Sequence, residues 1–97
     1  MATVTLTWNA PASGGPVTHY KIYRKAGSTA QSEDVIRANP DSGFPVQKTV
    51  AEVSSGSGFT YDDTTLSSGD GHHCWTVTAE GPGGESTAGA TSVHEVL

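Results

Sequence analysis

The sequence predicts an all-β protein, a single domain built as a two-sheet sandwich. Three observations predict it. Apolar and polar residues alternate along several short segments, the two-residue period of a half-buried strand. Gly, Pro, Asn or Asp breaks the alternation at intervals of roughly 10–15 residues, as expected of short strands joined by tight turns. Among the 97 residues Thr, Val, Ser and Gly are common, Leu and Lys are scarce, and no helical period or internal repeat is visible. A chain of this length buries one modest core.

The first segment, ATVTLTWNAP (2–11), sets Val4, Leu6 and Trp8 on one face and Thr3, Thr5 and Thr7 on the other. Pro11 and the run Ser13-Gly14-Gly15 end it, because Pro lacks the ladder donor and Gly permits a turn. VTHYKIYRKAG (17–27) is a second strand, with Val17, Tyr20 and Ile22 inward and Lys21 and Tyr23 opposite. Residues 28–45 lose the pattern. With Asn39-Pro40-Asp41-Ser42-Gly43 they read as a long loop holding one helical turn around Glu33 to Arg37. PVQKTVAEV (45–53) is a third strand carrying Val46, Val50 and Val53, and Ser54 to Gly58 breaks it. FTYDDTTL (59–66) alternates through Phe59 and Tyr61. HHCWTVTAE (72–80) places His73, Trp75, Val77 and Ala79 on one face and Cys74, Thr76, Thr78 and Glu80 on the other. GPGG (81–84) turns the chain into a weaker last strand over 86–96.

Charge and cysteine content narrow the partners. A formal charge of −5 opposes nucleic acid and anionic membrane surfaces, both of which call for a basic face. A single cysteine forms no internal disulfide, so packing alone must hold the fold. No apolar run approaches the ~18 residues of a membrane-spanning helix, and no signal peptide is legible after Met1. The chain is either a complete small protein or a fragment.

The chemically suggestive residues are better explained by strands. His72, His73 and Cys74 are adjacent, so on a strand His73 points away from the other two and the three cannot share one ion. The last strand could add His94, but no CxxC or HxxxH spacing supports a metal site. A nucleophilic Cys74 would need a cation or a helix N-terminus and an oriented base. Thr and Glu80 are its neighbours instead, and it reads as a half-exposed thiol beneath the long loop. Asp62 and Asp63 point to opposite faces and fail as an acid pair across a cleft. Asp63 is expected to cap backbone N–H groups at the Thr64-Thr65 corner. Calcium binding by Asp62, Asp63 and Asp70 lacks a loop framed by alternating acids and glycines. Gly81, Gly83 and Gly84 lack the following helix and Lys of a phosphate cradle. Of the aromatics, Trp8, Tyr20 and Trp75 fall inward with Ile22 and Val77 as core, leaving Tyr23 as one outward ring and a thin basis for binding carbohydrate.

Four segments in this order resemble a fibronectin type III domain, in the form common in secreted bacterial proteins and phage virions. VTLTWNAP resembles the family's strand B, VTHYKIYRKAG its strand C, YDDTTLSSG its E–F corner, and CWTVTAEGPGGES its strand F and F–G turn. The resemblance implies an immunoglobulin-like sandwich and a non-catalytic module for spacing, adhesion or protein contact, outside the cell or on a virion surface, and the residues themselves call for no cofactor or metal. A second reading is an accessory spacer or carbohydrate-binding module of a secreted polysaccharide hydrolase. Two departures stand out. His73 occupies the corner where the family has Tyr, and the family's strand A has no counterpart, because Val4 already belongs to B.

The candidate contact surfaces follow. Arg37, Asn39, Asp41 and Phe44 lie in the long loop, and Glu80, Pro82 and Glu85 at the F–G turn. Thr3, Thr5 and Thr7 mark the edge that strand A would cover. Residues 2–8 are therefore expected to be completed by a neighbouring subunit, by a preceding domain, or by the loop at 28–45 folding back.

Overall fold

The computed structural model describes residues 2–11, 16–56, 58–87 and 93–97. Two antiparallel sheets pack together around one core. The smaller sheet has the order β1 (Val4–Trp8), β5 (Gly58–Asp63), β4 (Ser54–Ser55). The larger runs β3 (Val46–Thr49), β2 (His19–Ala26), β6 (His72–Gly81). Along the far side of β6 lie β7 (Gly84–Thr87), paired with Thr78 to Gly81, and β8 (Val93–Val96), paired with His72 to Trp75. The expected turn at 13–15 and the middle of the expected last strand, 88–92, lie outside the described residues.

The core forms where the inward faces meet. Val4, Leu6 and Trp8 from β1 face Tyr20 and Ile22 from β2 and Trp75, Val77 and Ala79 from β6, with Val53 and Leu66 closing the ends. Trp8, Tyr20 and Phe59 form an aromatic group, with centroids 4.7 to 6.1 Å apart. The alternation read in these strands is thus the alternation of the fold. At the β6–β7 hairpin the close approach of Pro16 requires Gly81, since a Cβ there would sit 2.1 Å from the Pro16 carbonyl oxygen. Gly84 takes a left-handed φ of 106°.

Three expectations are corrected. Residues 45–53 are not one strand: β3 ends at Thr49, and Val50–Val53 form one helical turn, α2. Thr49 and Glu52 make a reciprocal capping box, which holds the turn and buries Val53. The helical turn in the long loop is a six-residue helix, α1 (Glu33–Ala38), capped by Ser32. It lies on the outer face of the larger sheet, where Ile36 meets Tyr23 and Cys74. That contact overturns the other two readings. Tyr23 does lie on the outer face but is covered there, at 7% exposed, and Cys74 is not half-exposed but 1%. Cys74 does lie beneath the loop, accepting from the Gln31 N–H at 3.3 Å. With Thr76 and Thr78 also covered, β6 is buried on both faces.

At the corner after β5, Asp63 is 0% exposed. One carboxylate oxygen accepts from the Thr65 N–H at 2.9 Å and its hydroxyl at 2.6 Å. The other accepts from the Trp75 indole and the Arg24 guanidinium, both at 3.0 Å. Burial by itself would raise the Asp63 pKa, but Thr65, Trp75 and Arg24 together outweigh it and hold the carboxyl below its ordinary value. Arg24 also donates to Asp41 at 2.9 Å and covers the Phe44 ring at 4.4 Å. One guanidinium therefore ties the start of the long loop's return to the core corner. His73, in the position where the resemblance expects Tyr, is buried, and its Nδ1 lies 3.4 Å from the Gly71 carbonyl.

Candidate functional site

The edge of β1 is the surface that the sequence singled out, and its geometry follows from the pairing. β1 pairs with β5 over its full length, Val4 opposite Asp63 through Trp8 opposite Phe59. The Ala2 N–H donates to Leu66, and the Leu6 carbonyl accepts from the Thr60 hydroxyl, so the even-numbered backbone groups face β5. Antiparallel alternation then turns the N–H and C=O groups of Thr3, Thr5 and Thr7 outward. Among the described residues no strand pairs with that side. The three Thr side chains are exposed on the solvent face, and Thr5 donates to Asp62 at 2.7 Å.

The long loop does not fold back to this edge. It is committed to the opposite sheet through Ile36, through Asp41, whose N–H donates to the Arg24 carbonyl, and through Gln31. Its candidate residues are similarly engaged. Arg37 pairs with Glu33 at 3.1 Å and approaches Glu85 at 3.9 Å. Asp41 and Phe44 hold Arg24, and the Asn39 carbonyl accepts from Lys25 at 3.0 Å. At the hairpin, Glu80 pairs with Lys21 at 3.1 Å while Pro82 is exposed at the tip.

Glu85 is the hub of this outer face. It accepts from the Tyr23 and Thr78 hydroxyls, with Lys21 at 4.0 Å. Partial burial pushes its pKa up, but Thr78, Tyr23, Lys21 and Arg37 prevail and keep it below the ordinary glutamate value. A depressed folded pKa contributes stability that is present above the unfolded value of about 4.3 and is lost as pH falls through the folded one. Glu85→Gln is expected to lower unfolding stability by about 1.5–3 kcal/mol at neutral pH. Urea midpoints measured near pH 7 and near pH 3 check this. The gap from wild type must shrink at the lower pH; an equal gap at both would mean that the charge of Glu85 contributes nothing.

Two features escaped the sequence reading. β4 covers only Gly58 and Phe59 of β5, so among the described residues Thr60 to Asp63 have no strand on that side. A groove of about 400 Å³ lies there, lined by Lys48, Glu52, Val53, Thr60, Tyr61 and Asp62. The local signal beside it is the Thr49-to-Glu52 capping box, which ends β3 early and places Glu52 and Val53 along the groove. The second is that His94, named above only as a possible addition, does meet His72 across β6 and β8, with Nδ1 and Nε2 3.0 Å apart. Among the described residues no three His, Cys, Asp or Glu side chains are grouped to hold a metal ion. No helix among them is long and apolar enough to cross a membrane. None of the protein-family models, curated proteins and solved structures compared with this chain matches it.

Proposed function

We propose that the chain is a fibronectin type III-like, non-catalytic interaction module that binds a protein partner by strand addition along β1. The observation that carries this reading is the outward row of Thr3, Thr5 and Thr7 backbone groups, which no described strand pairs. An uncovered strand edge is a template for another chain, and this one bears neither Pro nor a charged side chain to repel it. With the loop at 28–45 committed to the other sheet, the completing strand comes from a neighbouring subunit or from a domain preceding in the chain. The family assignment is supported by the strand order. β1 and β5 correspond to B and E of such sandwiches, and β3, β2, β6 and β7 with β8 to C′, C, F and G. A place outside the cell or on a virion agrees with this reading. The carbohydrate reading loses its basis, because the Tyr23 ring on the outer face is covered by α1.

Hydrogen exchange on the dilute monomer tests the edge. The amides of Thr5 and Thr7 are expected to exchange at least about a hundredfold faster than that of Leu6, because only the latter lies inside the ladder. Uniformly slow exchange over residues 3–7 would mean that the edge is already satisfied, and strand addition there would be wrong.

A further inference from the structure

We infer that His72 and His94 form a two-imidazole site for a divalent cation of the Zn²⁺ class, bridging β6 and the terminal strand β8. Cross-strand pairing brings the two residues together: Cys74 lies opposite His94, and His72 opposite Val96. His72 and His94 are therefore diagonal neighbours on one face of the sheet, within mutual reach of long side chains. Both are half-buried, so water and ions reach them. The adjacency argument against three ligands in a row excludes His73 and leaves this pair untouched, since its second member comes from a distant strand.

The ring geometry supports the assignment. Nδ1 of His72 and Nε2 of His94 are 3.0 Å apart, the ring centroids are 5.1 Å apart, and the planes differ by 14°. For a given contact between two ring nitrogens, the centroids stand farthest apart when the rings lie end to end. A 3.0 Å contact at that centroid separation therefore places the rings end to end, one nitrogen donating its proton to the lone pair of the other. They do not lie face over face. A shared proton marks two nitrogens aimed at one point between them. Zn²⁺ binds imidazole at about 2.0–2.1 Å, and two such ligands at a tetrahedral angle stand ~3.3 Å apart. Opening the pair by a few tenths of an ångström and turning each ring by roughly 35° lets both lone pairs converge on an ion beside the present contact.

The surroundings set the chemical class. Two neutral nitrogens suit borderline cations such as Zn²⁺, Ni²⁺ and Cu²⁺ and are poor ligands for Mg²⁺ or Ca²⁺, which demand oxygen. Cys74 shares the face but is held at 1% exposure between the Gln31 N–H and the Thr29 carbonyl. Lys25 is held by the Asn39 carbonyl. The remaining coordination positions fall to water or to a partner's side chain. The consequence for the fold is a clamp on β8, whose end is otherwise tied by the reciprocal Gly71–Leu97 backbone bonds.

Titration of the whole chain with ZnSO₄, followed by calorimetry and by the imidazole proton resonances, tests the site. Saturable 1:1 binding is expected, moving the His72 and His94 signals and raising the thermal midpoint as ligand linkage requires. His72→Gln and His94→Gln are each expected to weaken binding by about tenfold or more. His19→Gln, at a different strand position, is expected to leave it unchanged, and MgSO₄ to produce no effect. The inference is overturned if either single variant binds Zn²⁺ as wild type does, if His19→Gln abolishes binding, or if Mg²⁺ reproduces the shift. Absence of saturable binding up to millimolar Zn²⁺ overturns it equally. Both substituted positions are half-exposed, and a melting curve for each variant without metal verifies folding before the titration is read.

Discussion

Trp75→Ala is expected to leave the chain unfolded, or nearly so, at room temperature. The ring is 0% exposed at the centre of β6, and removing a buried Trp side chain costs about 3–5 kcal/mol. A domain of this size has only about 5–15 kcal/mol in total. A second loss adds to the first, because the indole N–H is one of four donors serving the buried Asp63 carboxylate. Trp8 offers the informative contrast. It is buried in the same core, and among the described residues its indole N–H serves no carboxylate. Trp8→Phe removes an N–H that serves no buried charge, whereas Trp75→Phe strips a donor from the buried Asp63 carboxylate. Trp75→Phe is therefore expected to be the more destabilising of the two, by about 1–3 kcal/mol in chemical denaturation. A cooperative melt of Trp75→Ala within a few degrees of wild type, or the reverse order of the two Phe variants, would refute this account of the core.

The second large effect belongs to Asp63. Both of its oxygens receive only donors: the Thr65 N–H and hydroxyl on one, Trp75 and Arg24 on the other. An isosteric Asn must present its NH₂ to one of these pairs, and an amide nitrogen accepts nothing. Asp63→Asn therefore fails despite its shape, and Asp63→Ala leaves Arg24 with Asp41 as its remaining acid. Breaking a buried pair from one side costs about 3–5 kcal/mol, and either variant is expected to fall near that range. The pH profile carries the sign. Because the folded pKa of Asp63 is depressed, its contribution is complete above the unfolded value of about 3.9 and disappears as pH falls through the folded one. The wild type is expected to lose stability steeply below about pH 4, and Asp63→Asn to lose far less over the same interval. Denaturant midpoints across that range measure it, and parallel acid limbs for the two proteins would show that the Asp63 charge is not what the corner depends on.

Much of this architecture was written in local pattern. Val4, Leu6 and Trp8, then Trp75, Val77 and Ala79, alternate with polar residues, and a strand's side chains alternate between faces by backbone geometry alone. Turns at Asn39 to Gly43 and at Gly81 to Gly84 depend on φ values and side-chain caps within a few residues, so they too were legible. The charge-free Thr edge could be named for the same reason, since it is a property of one strand. Even the capping box of Thr49 and Glu52 is local, but Val46, Val50 and Val53 beside it carry the composition of a continuing strand.

What lay beyond the sequence is whatever depends on two segments meeting. Cys74, Thr76 and Thr78 have the composition of a solvent face, and only the docking of α1 makes β6 buried on both sides. The same docking takes Tyr23 out of solvent and commits the long loop to the sheet opposite the free edge. Arg24 reaches Asp63, and His72 reaches His94, through the registers of β2 on β6 and β8 on β6. A one-residue slip would send those side chains to the opposite face. Alternation along a strand determines which residues share a face. Which distant residue stands opposite is decided by the packing of the whole domain, because a pairing register is a relation between strands and is carried by neither of them alone.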